Sequence, residues 1–197
     1  MGTKILHLHL HGLIRSKNLE LGKDPDTGGQ TQYVLELVKS LANTSGIEQV
    51  DLATRLIRDK KVDQIYSQET EYIEPGARIL RFEFGPQKYI RKELLWPHLD
   101  KLVIELTNFY KESENKPNWI HAHYADAGYV GVRLSRNLNI PLVFTAHSLG
   151  REKQRRLLDT GIPQKQIEKT YFISKRIAAE EEALKEALMV VTSTNQE

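Results

Sequence analysis

Lys4-Ile5-Leu6-His7-Leu8-His9-Leu10 alternates apolar and polar side chains from Leu6 onward and closes on His11-Gly12. That two-residue period is the signature of a β-strand, and the glycine marks its end. Further on, Asp26-Thr27-Gly28-Gly29-Gln30 leads into Val34, Leu37, Val38 and Leu41, which keep helical spacing. A strand, a glycine-containing connection and a helix form the opening of a βαβ unit.

The same alternation of elements continues along the chain. Compact apolar runs at 49–55, 77–84, 119–123, 141–145 and 188–193 predict five more strands. Leu95, Leu99, Leu102, Val103 and Leu106 predict a second helix, and Ala127, Val130, Leu134 and Leu138 a third. A stretch rich in Ala, Glu, Lys and Arg predicts a fourth over about 163–188. The expected fold is a single doubly wound α/β domain over 1–197, with a mostly parallel sheet and helices on both faces. In such folds ligands sit beyond the carboxyl ends of the strands. Four polar clusters fall there: His11-Gly12, Gly85-Pro86-Gln87-Lys88, His123-Tyr124-Ala125-Asp126 and His147-Ser148-Leu149-Gly150.

Composition narrows the function. The 28 Lys and Arg nearly cancel the 26 Asp and Glu, which gives no general reason to expect nucleic acid or a membrane as partner. The absence of cysteine excludes disulfides and thiolate metal sites and suits a reducing compartment. No apolar run is long enough to cross a bilayer, and Met1-Gly2-Thr3-Lys4 carries no signal-peptide pattern. A cytoplasmic location is the expectation.

Individual residues suggest a site for a phosphorylated ligand. Gly28 and Gly29 at a helix start allow close backbone approach and expose amides to an anion. No Gly-x-Gly and no P-loop occur, which argues against a nucleotide fingerprint. Lys88, Arg91 and Lys92 form one basic cluster, Arg151, Lys153, Arg155 and Arg156 a second, and Lys175-Arg176 a third. A phosphomonoester needs several such donors at once. Arg155 and Arg156 are taken as a solvated face. His7 and His9 are favoured as structural, since no carboxylate neighbours them to orient a metal ligand. His147, at a strand end, can donate to a substrate oxygen. Ser148 lacks the Gly-x-Ser-x-Gly elbow of hydrolases.

Taken together, several segments resemble the N-terminal region of the sucrose-phosphate synthase family. They are His11-Gly12-Leu13-Ile14-Arg15, Asn18-Leu19-Glu20-Leu21-Gly22, Asp26-Thr27-Gly28-Gly29-Gln30, Phe84-Gly85-Pro86 and Lys92-Glu93-Leu94-Leu95-Trp96-Pro97. His121-Ala122-His123-Tyr124-Ala125-Asp126-Ala127-Gly128, His147-Ser148-Leu149-Gly150-Arg151 and Thr192-Ser193-Thr194-Asn195-Gln196-Glu197 continue it to the chain's end. The resemblance implies the first of two Rossmann-like domains of a GT-B glycosyltransferase, the one that receives fructose 6-phosphate. The other half holds UDP-glucose, and glucose passes with retention, without metal or cofactor, to give sucrose 6-phosphate and UDP.

Carried onto this chain, the resemblance implies that Gly28, Gly29 and Gln30 line the junction of donor and acceptor. It implies a catalytic role for His147 with Gly28 and Gly29, and a cleft lining of Tyr124 and Asp126. Lys88, Ser148, Lys153, Lys175 and Arg176 would form the acceptor-phosphate pocket, with Lys175 the less secure of its pair because some relatives carry arginine there. The paired glutamates, eight positions apart, that hold the nucleotide sugar in such enzymes do not occur here. The donor-binding C-terminal domain is therefore expected to be absent from this chain, and the segment alone inactive. Two rivals remain: a sucrose synthase acceptor domain taking unphosphorylated fructose, and a non-catalytic sugar-phosphate-binding module. Relatives of the former usually carry His-Ala-Leu where this chain has His147-Ser148-Leu149.

Overall fold

Seven strands form one sheet in the order β3-β4-β2-β1-β5-β6-β7 in a computed structural model that describes residues 2–111, 113 and 115–192. The strands are β1 (Thr3–Leu8), β2 (Ile47–Arg55), β3 (Thr70–Glu74), β4 (Ala77–Phe82), β5 (Trp119–His123), β6 (Leu142–Thr145) and β7 (Met189–Val190). All pairings are parallel except β3 with β4. Without β3, the parallel strands run 3-2-1-4-5-6 in chain order, the order of dinucleotide-binding folds. The strand order reverses between β1 and β5, which places a crevice at their carboxyl ends.

The helices are α1 (Gly29–Ala42), α2 (Leu99–Lys111), α3 (Tyr124–Leu138), α4 (Gly150–Asp159), α5 (Gln164–Tyr171) and α6 (Ile173–Glu186). Because strand side chains alternate, each face of the sheet builds its own core. Leu6, Leu8, Ile120, Ala122, Leu142 and Phe144 pack on one face with residues of α2, α3 and α6. Val50, Leu52, Ala77 and Ile79 pack on the other against Val34, Leu35 and Val38 of α1. The second face also carries His7, paired in register with Leu52 on one side and His121 on the other.

Several expectations need correction. The 70–74 segment is a strand, yet Thr70, Glu71 and Glu74 gave it no apolar run, because it is an antiparallel edge strand with a register shift between Tyr72 and Glu74. A buried ion pair, Arg81 with Glu71, holds it, and Arg81 Nη2 also donates to the Ile14 carbonyl at 3.0 Å. The predicted helix over 163–188 is two helices broken at Phe172, whose φ of 47° ends α5. The basic segment after Gly150 is itself helical, as α4. The run at 77–84 ends as a strand at Phe82. The last strand shrinks to Met189–Val190, and 193–197, with most of the final motif, lie outside the described residues. At that edge Leu188, Met189 and Val190 are 70%, 56% and 44% exposed.

Candidate functional site: the strand-end rim

The connection after β1 folds back onto the start of α1. Thr27 Oγ1 accepts from the Leu13 amide at 2.8 Å and donates to Asp24 at 2.6 Å. Asp26 accepts from the Lys92 amide at 2.8 Å and pairs with the Lys92 ammonium. Burial alone would raise the Asp26 pKa, but the Lys92 contacts outweigh it and hold the carboxyl below its ordinary value. Gly12 sits in the left-handed region at φ 75°, and a Cβ there would lie 2.5 Å from the Asp26 carbonyl oxygen. Only glycine permits that approach.

This anchored loop presents Gly28 and Gly29 at the mouth of α1. No side chain caps the helix, its first turn holds no acidic residue, and a Cβ on either glycine would meet open space. Gln30 turns inward, with Nε2 3.2 Å from His9 Nδ1, while His9 Nε2 lies 3.3 Å from Thr31 Oγ1.

Beyond β5, Tyr124 takes φ 78°, and beyond β6, His147 takes φ 59°. Non-glycine residues in that region cost on the order of 1–3 kcal/mol each and concentrate at functional sites. Asp126 is 1% exposed and accepts from its own Ala127 amide at 2.7 Å, with His11 Nδ1 2.8 Å away. Arg176, also buried, stacks its guanidinium 4.6 Å over the Tyr124 ring. It donates from Nε to Glu180 at 2.8 Å and from Nη2 to the Ser148 carbonyl and hydroxyl at 2.9 and 3.0 Å. Glu180 in turn accepts from the Gly150 amide at 2.6 Å. Burial raises the Glu180 carboxyl despite Arg176.

Lys153 differs from the other cations here. Its ammonium sits 3.9 Å over the Tyr171 ring and makes no ion pair among the described residues. Burial first, then Arg176 and Lys92, push its pKa below the ordinary lysine value. Lys92, Glu93, Trp96, Tyr124, Asp126, Lys153, Tyr171 and Arg176 enclose a cavity of about 10 Å³, room for little more than one water.

Tyr124, Asp126, Lys153 and Arg176 thus line one enclosure, with Ser148 held to Arg176 beside it, while Gly28, Gly29, Gln30 and His147 gather on the adjoining rim. Lys88 and Lys175 stay outside the enclosure. The Lys88 side chain is exposed while its carbonyl accepts from Arg55 Nη1 at 3.0 Å, and Lys175 lies 5.7 Å over the Trp96 ring from outside. Arg155 and Arg156 are solvated and pair with Glu152. Glu93, Trp96, Tyr171 and Tyr33 were not singled out as site residues. Glu93 and Trp96 lay in the Lys92–Pro97 motif, but nothing local marked the two tyrosines.

His7, His121 and His123 form an imidazole cluster on the α1 face, buried, with candidate ligand nitrogens within 4.8 Å of one another. Of these three rings, only His7 is among the histidines that the sequence reading favours as structural, together with His9. Burial lowers His7 and His123 well below the ordinary histidine value and His121 to about 4. His123 continues the cluster to the rim: its Nδ1 is 3.0 Å from His147 Nε2, and Tyr33 packs edge-on against His147 at 5.2 Å.

The family model described as the sucrose synthase first GT-B domain matches residues 3–197. Sucrose-phosphate synthase 4 of Arabidopsis thaliana is 45% identical over 98% of this chain and 20% of its own length. A probable sucrose-phosphate synthase 1 of Craterostigma plantagineum is 43% identical over 98% of this chain and 21% of its own. The chain therefore spans about a fifth of these relatives. Among solved structures, a sucrose-phosphate synthase from Thermosynechococcus elongatus superposes with a TM-score of 0.77 at 25% identity, over 98% of this chain and 43% of that one. No helix among the described residues is long and apolar enough to cross a membrane.

Proposed function

This chain belongs to the family of the sucrose synthase first GT-B domain, as an N-terminal GT-B domain of the sucrose-phosphate synthase type, and on that premise we propose that it receives fructose 6-phosphate. In this reading a separate C-terminal half holds UDP-glucose, and glucose passes between them with retention to give sucrose 6-phosphate and UDP. No metal or cofactor enters, and neither a membrane nor a nucleic acid is a partner. The reaction is placed in the cytoplasm, where a cysteine-free chain is at home.

One observation carries the acceptor assignment: the half-buried Lys153 ammonium, depressed by burial and by Arg176 and Lys92 more than nearby Glu93 restores it, and in no ion pair among the described residues. A dianionic phosphate leaving water must recover several charge-assisted bonds, and a cation in that state gains most from supplying one. The Ser148 hydroxyl and Arg176 lie beside it. Entry of a sugar phosphate requires the lining side chains to spread, since the space between them is only about 10 Å³. Lys88 and Lys175, both exposed, act from outside the enclosure. Gly28, Gly29 and the α1 amides face the transferring group, and His147 donates to the donor sugar.

Calorimetry of the chain with fructose 6-phosphate, fructose and UDP-glucose tests this. Fructose 6-phosphate should bind and fructose should not. Lys153→Ala should weaken that binding by roughly 1.5–3 kcal/mol, ten- to a hundredfold. Equal affinity for fructose would favour the unphosphorylated acceptor instead, and an unaffected Lys153→Ala variant would remove the phosphate assignment.

A further inference from the structure

His7, His123 and His147 form a row of three imidazoles running from the sheet interior to the rim. His7 Nδ1 lies 2.9 Å from His123 Nε2, and His123 Nδ1 lies 3.0 Å from His147 Nε2. His7 and His123 are both 0% exposed. Their rings stack, with centroids 5.2 Å apart and an interplanar angle of 11°. We propose that His7 and His123 are positioning residues that fix the tautomer of His147, holding its Nε2 as the acceptor and its proton on Nδ1.

Each neutral imidazole has one N–H and one lone pair. Burial keeps His7 and His123 neutral, His121 lowers both further, and His7 and His147 also lower His123. His123 uses both nitrogens within the row, so it donates at one end and accepts at the other. The two contacts must then point the same way. The end of the row decides which way. His7 Nε2 is buried and has no hydrogen-bond partner among the described residues. If the bonds ran inward from His147, that orphan would be an N–H, and buried N–H groups without acceptors are the rarer defect. Running outward, it is only a lone pair: His7 Nδ1 donates to His123, and His123 Nδ1 donates to His147 Nε2. The histidine that emerges at the rim then carries its hydrogen on Nδ1 and cannot rotate to the other state without breaking the row.

A metal at His7, His121 and His123 is the competing use of these rings. No carboxylate among the described residues joins the cluster, His121 Nε2 is engaged with Thr145 Oγ1 at 2.8 Å, and both His123 nitrogens are taken. A divalent ion held there by neutral rings alone would bury its charge uncompensated.

The consequence for catalysis rests on the reading of His147 as a site residue, and the tautomer itself does not. Long-range proton–nitrogen correlation spectra of the nitrogen-15-labelled chain near pH 8 read each ring nitrogen directly. Wild type should show His147 protonated at Nδ1. His7→Asn, which keeps a donor near the Nδ1 position, should preserve that state, and His7→Leu should let His147 mix both tautomers. A His147 protonated at Nε2 in wild type overturns the proposal, even if His7→Leu fails to fold. So does an unchanged His147 in a folded His7→Leu. Retention of one equivalent of zinc by the purified chain, lost in His7→Asn, would also overturn it in favour of a metal site. Separately, a His147→Ala variant that turns over normally once joined to a donor-binding half would remove the catalytic reading and leave the tautomer result standing.

Discussion

Lowering the pH from 8 to 5.5 tests whether the buried imidazoles are held neutral. His7, His9, His121 and His123 are all held neutral by burial, three of them well below the ordinary histidine value and His121 near 4. In the unfolded chain each titrates near 6.5. The folded values are depressed and the charged form is the protonated one, so the unfolded state binds more protons below 6.5. Stability is complete above that pH and falls as the pH drops towards the folded values. At pH 5.5 an unfolded imidazole is about nine-tenths protonated, a loss of about 1.4 kcal/mol each and about 5–6 kcal/mol for four. That is comparable to the whole stability of many domains, roughly 5–15 kcal/mol. The raised Glu180 carboxyl works in the opposite direction, and the depressed Asp26 contributes only at lower pH. Urea titrations followed by circular dichroism at half-unit steps should show a midpoint that is flat above pH 7 and falls by about half by pH 5.5. A midpoint unchanged between pH 7 and 5.5 would refute neutral burial of the cluster.

Gly12→Ala should destabilise the chain by at least about 1–2 kcal/mol, since it combines a left-handed backbone with a carbonyl 2.5 Å from the new Cβ; thermal melts measure it. Arg176→Ala should weaken fructose 6-phosphate binding and also cost about 3–5 kcal/mol in urea unfolding, because it strands the buried Glu180. Arg155→Ala and Arg156→Ala, on a solvated helix face, should shift neither measurement. The 197-residue chain alone should form no sucrose 6-phosphate from UDP-glucose in a coupled assay, and a complementing C-terminal half should restore it.

The parallel core was legible because its strands are buried on both faces and read as apolar runs, as at 119–123 and 141–145. The edge strand Thr70–Glu74 was not, since one of its sides faces solvent and its pairing is set by Arg81 and Glu71, distant from any local pattern. The break at Phe172 hid inside a composition that favours helix throughout. Strand ends pointed to the rim, so His147, Tyr124 and Asp126 could be placed on it. Which cations converge depends on how α4 and α6 pack, and local sequence carries no sign that Lys88 and Lys175 stay outside while Lys153 and Arg176 line the enclosure. The imidazole row was invisible for a similar reason. His7 meets His121 and His123 only through the β1–β5 register, more than a hundred residues apart in the chain.

The two borders of the sheet have opposite characters. On one side, β3 is short, interrupted and lined with Glu71 and Glu74, features that discourage another chain from adding a strand. On the other, β7 is two residues long and leaves Leu188, Met189 and Val190 open to solvent with no charge among them. Self-association of this domain at high concentration would therefore be one-sided. A lysine at Met189 should do more for its solubility than any change at the β3 border.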